Sequence, residues 1–205
     1  FPHCYKDNSN LKHITIPPYI IELENDAFNN CESLSCIKFL SSLISVGDYV
    51  FYKCKSLKQI EIPSSVMHIG KSAFQDSGII EITIPSSIIQ ICDKTFSGCE
   101  KLMQVLFSSI EIIGKYAFFK CKSITSILIP SSVTKIDDYA FAECSSLREL
   151  TIPSSVKKIG HSVWEGCNSL TKVFLQFFTQ KLEGNSFKNL VKLEEIELPS
   201  SLTII

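Results

Sequence analysis

The chain of 205 residues carries almost no net charge: 20 lysines and arginines stand against 21 aspartates and glutamates. Without an excess of either sign there is no counterion-release drive toward nucleic acid and no attraction to an anionic lipid surface, so neither is expected as a partner. Long apolar runs are missing too. Hydrophobic residues make up 45% of the chain, yet no stretch approaches the roughly 18 consecutive apolar residues of a membrane-spanning helix. There is no Asn-x-Ser/Thr acceptor for N-glycosylation, and nine cysteines include no Cys-x-x-Cys pair, which argues against structural zinc. Phosphate-loop, dinucleotide and H-E-x-x-H signatures are absent. The four histidines, His3, His13, His68 and His161, recur at no fixed spacing from an acid or a nucleophile. No metal, no cofactor and no catalytic residue is therefore expected, and the chain reads as a non-enzyme.

What the chain has instead is a period. Phe28, Phe51, Phe74, Phe96, Phe118, Phe141, Trp164 and Phe187 follow one another at steps of 22 or 23 residues. Self-similarity at such a period means one supersecondary unit stacked on copies of itself, each covering the apolar face its neighbour cannot cover alone. Repeats begin near residues 11, 34, 57, 79, 102, 124, 147, 170 and 193. The reading is one repeat domain over 11–205, about 8.5 repeats, with residues 1–10 as an N-terminal remnant or cap. The chain starts at Phe1 and stops inside the ninth repeat, as a fragment or processed chain would.

Within a repeat, Leu57, Ile60 and Ile62 have the L-x-x-I-x-I spacing of a half-buried strand. Pro63 then stops the ladder and Ser64-Ser65 turns the chain. Serine pairs recur at 41-42, 86-87, 108-109, 131-132, 154-155 and 200-201, where hydroxyls can satisfy backbone groups at a strand end. The second half, Val66-x-x-Ile69-Gly70-x-x-Ala73-Phe74, predicts a tight turn, a short extended piece or a helical turn. Gly47, Gly70, Gly114 and Gly160 fit a position that needs positive φ or close backbone approach, and Asp137 occupies the same place once. Strands about 4.8 Å apart would give a body on the order of 40 Å long.

The pattern L-x-x-I-x-I-P-S-S-V-x-x-I-G-x-x-A-F-x-x-C, from Leu11 to the C-terminus, resembles the leucine-rich repeats of BspA-like proteins. The resemblance implies a right-handed solenoid of the α/β class, with a parallel β-sheet on its concave face and short irregular or helical-turn segments on its convex side. It also implies a cell-surface or secreted protein acting in adhesion or in binding host or extracellular-matrix proteins, without catalysis. Three repeats depart from the pattern: Leu40 replaces proline, Phe107 runs straight into Ser108, and Gln176-Phe177-Phe178 stands where Pro-Ser-Ser is expected.

Cys31, Cys54, Cys99, Cys121, Cys144 and Cys167 each sit three residues after the ladder aromatic, with Ser77 and Leu190 at the same position. Stacked in a solenoid, their Cβ vectors run parallel and do not meet, so buried free thiols are expected. Cys4 could bond a cysteine of a cap, Cys36 falls at an exposed strand position, and Cys92 has no functional reading.

A solenoid offers its strand face to ligands, and the outward positions are the third and fifth of each repeat. Candidate ligand-binding residues are Gln59, Glu61, Glu81, Thr83, Gln104, Leu106, Ser126, Leu128, Glu149, Thr151, Lys172 and Phe174, and the series extends to His13/Thr15, Cys36/Lys38 and Glu195/Glu197. Leu106, Leu128 and Phe174 form an apolar stripe interrupted by Thr151, and contiguous exposed apolar surface marks interaction sites. Phe177 and Phe178 either extend it as an aromatic anchor or pack over the irregular turn. Two functions follow: a binding or adhesion module for protein, or glycan, ligands, or an architectural spacer that self-associates.

Overall fold

The computed structural model describes residues 4–40, 42–176, 187 and 190–203. Its strands, in chain order, are β1 (His13–Ile16), β2 (Glu22–Leu23), β3 (Cys36–Phe39), β4 (Ser45–Val46), β5 (His68–Ile69), β6 (Glu81–Thr83), β7 (Gln90–Ile91), β8 (Gln104–Leu106), β9 (Ile112–Ile113), β10 (Lys135–Ile136), β11 (Glu149–Ile152), β12 (Lys158–Ile159), β13 (Lys172–Leu175) and β14 (Glu195–Glu197). Every pairing between them is parallel and joins one repeat to the next, as in His13 opposite Cys36 and Glu149 opposite Lys172.

The strands form two rows. The L-x-x-I-x-I segments build the first, in three sheets of order β1-β3, β6-β8 and β11-β13-β14. The x-I pair before the glycine builds the second, in sheets β2-β4-β5 and β7-β9-β10-β12. Of the three conformations expected for the second half of the repeat, the short extended piece and the tight turn are both present, as in β5 followed by the turn over 71–76. The structure is a parallel β-solenoid of seven turns counted on this second row. Among the described residues there is no helix, and the far side consists of short strands and turns.

Helix fails to propagate there because each turn contains two left-handed residues four apart, such as Tyr49 (φ 58°) and Lys53 (φ 57°). That conformation aims their amides along the solenoid axis. Tyr49 N–H donates to the Lys71 carbonyl at 3.0 Å and Lys53 N–H to the Gln75 carbonyl at 2.9 Å, which offsets the cost of placing side chains in that region. The glycine position is a different matter. A Cβ on Gly70 would stand 2.5 Å from both the Gly47 carbonyl carbon and Asp48 Oδ1, whereas its φ is not left-handed. Close approach, not positive φ, selects glycine; Asp137 likewise is not among the left-handed residues.

The core is a set of columns. Tyr5, Phe28, Phe51, Phe74, Phe96, Phe118 and Phe141 stack ring on ring with centroids 5.2–5.7 Å apart, and Trp164 stacks on Phe187 at 5.7 Å. Each buried phenylalanine contributes about 2–3 kcal/mol of burial and each stacked pair about 1 kcal/mol more. Tyr5 lies 23 residues before Phe28 and extends the column one step beyond the first aromatic read from the sequence. Beside it runs the thiol column: Cys54, Cys99, Cys121, Cys144 and Cys167 each donate to the carbonyl of the aromatic in the preceding repeat, at 2.9–3.2 Å. Second serines of the turn pairs donate backward in the same way, Ser65 to Leu43 at 2.6 Å, Ser132 to Ile110 at 2.7 Å and Ser155 to Val133 at 2.7 Å. Where proline is replaced the ladder gains a donor: Leu40 N–H reaches the Ile16 carbonyl at 3.1 Å and Gln176 N–H the Ile152 carbonyl at 2.9 Å.

Candidate binding surfaces

Alternation along the first-row strands turns one side chain inward and the next outward. Ile37, Ile60, Ile82, Leu150 and Val173 are buried, and Val105 and Ile127 half-buried. Their flanking residues Gln59, Glu61, Glu81, Thr83, Gln104, Leu106, Ser126, Leu128, Glu149 and Lys172 are exposed, whereas Thr151 and Phe174 are half-buried. Leu106 and Leu128 are 51% and 83% exposed, large apolar side chains of this face left uncovered. Phe174 lies in register between Thr151 and Glu197, so the expected stripe narrows to its two leucines. Phe177 and Phe178 lie outside the described residues.

The polar part of this face is organised by register. Gln59 donates to Glu81. Glu149, Lys172 and Glu195 line up across β11, β13 and β14, with Lys172 Nζ 2.9 Å from Glu195. That hydrogen bond, together with the charges of Glu195 and Glu149, holds the Lys172 ammonium above its usual pKa. The ladder lapses around Gln59–Ile62, which belongs to no strand, and near Ser126, which makes only a bridge to Glu149.

Sequence reasoning missed a second exposed apolar row. Ile21, Ile44, Met67 and Ile89, the residues just before β2, β4, β5 and β7, are 60%, 45%, 66% and 58% exposed. The same position carries Glu111, Thr134 and Lys157 in later repeats. The signal was present as an apolar residue repeated at one non-core position, and a window that counts all apolar residues alike hides it.

All nine cysteines are free of disulfides, with Cys4 and Cys36 exposed and the other seven buried. Burial pushes the Cys99 and Cys167 thiols up to about 12 and raises those of Cys54, Cys121 and Cys144 in the same direction. They are protonated packing groups that donate hydrogen bonds, not nucleophiles. Cys92 takes the glycine position and is also buried. Among the described residues no helix is long and apolar enough to cross a membrane.

Comparison with known families and structures fits this architecture. The family model described as BspA type leucine rich repeat region, in 6 copies, matches residues 2–103 and 103–205. A leucine-rich repeat protein from Bacteroides ovatus superposes with a TM-score of 0.75 at 26% identity, over 100% of this chain and 65% of that one. The T. pallidum leucine rich repeat protein gives 0.53 at 25% identity, over 94% of this chain and 72% of that one. A leucine-rich repeat protein from Eubacterium ventriosum gives 0.59 at 22% identity, covering 98% and 69% of the two chains, and shares the fold. The chain thus spans 65% of the length of the Bacteroides ovatus protein. Curated protein sequences contain no match.

Proposed function

Because the chain belongs to the BspA-type leucine-rich repeat family, we propose that it is a non-enzymatic binding or adhesion module of a cell-surface or secreted protein. Its ligand is a protein, such as a host or extracellular-matrix protein, held on the first-row face that a leucine-rich repeat solenoid turns to its concave side. One observation carries this reading: side chains on that face differ from repeat to repeat while the inward ones stay aliphatic, and Leu106 and Leu128 are left 51% and 83% exposed among them. Buried apolar anchors ringed by polar residues supply most of the energy of protein recognition. Gln104, Ser126, Glu149 and Lys172 provide that ring here.

The test is binding to an array of immobilised extracellular-matrix proteins by the parent and by a Leu106→Asp/Leu128→Asp variant. Capture by the parent and a loss of about 2 kcal/mol or more in the variant, with an unchanged circular dichroism spectrum, is the expected result. Equal capture by both places the ligand elsewhere and removes this reading.

A second reading, self-association, is favoured by the row Ile21, Ile44, Met67 and Ile89. A Met67→Lys/Ile89→Lys variant separates the two surfaces. Light scattering should show the parent dissociating on this change if copies pair through the second row, and matrix binding should be untouched.

A further inference from the structure

Along the turn side, two repeats place an aromatic pair three residues apart, and the two rings meet edge to face. Tyr49 and Tyr52 do so at 6.0 Å and 80°, Tyr116 and Phe119 at 5.3 Å and 80°. The next repeat has Tyr139 but only Ala142 where the second ring would be. One step further, Gly166 occupies the left-handed position that carries Lys120 and Glu143 in the preceding repeats, and Ser162 takes the place of Tyr139. Ala142 and Gly166 line a groove of about 640 Å³, within the range of small-ligand sites.

Tyr139 stacks by one face on Tyr116, with centroids 4.9 Å apart and planes 8° off parallel. Its other side faces the groove bordered by Ser145, Glu165 and Asn168. The side chains of these three residues have no hydrogen-bond or ion-pair partner among the described residues. By contrast Glu143 is paired with Lys120 at 3.7 Å and Lys122 with Glu100 at 2.7 Å.

We propose that this groove binds a neutral glycan, one pyranose stacking its C–H face on Tyr139 while Ser145, Glu165 and Asn168 bond its hydroxyls. A pyranose joins a flat patch of polarised C–H bonds, which suits the negative face of an aromatic ring, to a rim of hydroxyls that donate and accept. A cationic ligand fits less well, because the chain's own ammonium groups already lie over the two neighbouring rings that border the groove: Lys115 and Lys94 over Tyr116 at 5.6 and 5.9 Å, and Lys120 over Phe119 at 5.0 Å. The site is separate from the first-row face and does not depend on what binds there.

Both informative substitutions copy residues this chain tolerates at the same position in other repeats. Ala142→Phe refills the groove as Phe119 does, and Tyr139→Ser removes the platform as Ser162 does. Saturation-transfer NMR with lactose, maltose, cellobiose and N,N′-diacetylchitobiose at millimolar concentration is the readout, with circular dichroism to confirm folding. At least one disaccharide should bind the parent and the Leu106→Asp/Leu128→Asp variant alike, about tenfold more weakly in Tyr139→Ser, and not at all in Ala142→Phe. Absence of binding by all four sugars to the parent, or binding that survives Ala142→Phe, overturns the proposal. So does displacement by tetramethylammonium, which would mark a cation site.

Discussion

Each buried thiol of the cysteine column keeps a proton that water would remove at moderately alkaline pH. Desolvation is the main cause, and it sets the sign of a pH effect. Between the ordinary value of 9.0 and about 12 for Cys99 and Cys167, the unfolded chain releases protons that the folded chain retains. Stability is therefore complete below pH 9 and falls as the pH rises toward 12, by about 1.4 kcal/mol per unit for each thiol. Urea unfolding at pH 7.5 and pH 10 should show the midpoint dropping sharply, and a Cys121→Ala/Cys144→Ala variant should lose less between the two. An unchanged midpoint would mean that the thiols are hydrated. Thiol reagents at pH 7.5 should modify Cys4 and Cys36 quickly while the seven buried cysteines wait for unfolding.

The glycine of each turn belongs to a two-repeat element. Asn25, Asp48, Asp93 and Asp138 accept hydrogen bonds from the backbone N–H of Asp48, Lys71, Lys115 and His161 in the following repeat, at 2.7–3.0 Å. The bracket draws the neighbouring turn in until a Cβ at Gly47, Gly70, Gly114 or Gly160 would meet that same carboxyl or amide oxygen within 2.5–2.8 Å. Where the preceding repeat supplies Lys71 or Lys115, the glycine becomes Cys92 or Asp137. Gly70→Ala should cost about 1–3 kcal/mol, and much less in an Asp48→Lys background; chemical denaturation of the four proteins in this cycle should give a coupling of about 1 kcal/mol or more. Additive effects would sink the bracket explanation. The exposed bond itself is visible at Asp138, whose carboxyl is held below its usual pKa first by the His161 amide and then by Lys115.

How much of this was legible follows from how far each feature reaches. Strand, proline turn and inward column lie within one period, so the spacing of Leu57, Ile60, Ile62 and Phe74 predicts them. Features made between repeats escaped: the pairing of Asp48 with Gly70, the half-burial of Phe174 between Thr151 and Glu197, and a groove created by what Ala142 and Gly166 lack. Tyr5 was readable by extending the period backward.

At the scale of the molecule, one junction among the described residues lacks strand pairing in both rows. Between the third and fourth repeats neither row of strands is paired: Gln59–Ile62 belongs to no strand, and β5 and β7 fall in different sheets. The step there is one residue short, and Gly78 passes so close to the Lys55 carbonyl that no Cβ fits. What crosses the junction is the Phe74–Phe96 stack at 5.5 Å, turn bonds such as Phe74 N–H to the Thr95 carbonyl at 2.9 Å, one first-row backbone bond from Ile80 N–H to the Lys58 carbonyl at 2.8 Å, and the Gln59–Glu81 side-chain bond. Solenoids lose structure at their weakest interface, so in urea below the unfolding midpoint Cys92, beside this seam, should be the first buried cysteine labelled. Labelling of Cys92 in step with Cys54 and Cys121 would show that both halves unfold together. The aspartate–glycine bracket carries a last consequence for how such an array can be lengthened or rearranged. A turn with Asp at the bracket position is followed by one with glycine, whereas the turns with lysine are followed by Cys92 and Asp137 and do not require it. The repeats therefore obey a directional grammar: a duplicated or transplanted unit joins without strain only if the unit ahead of it ends in the right letter.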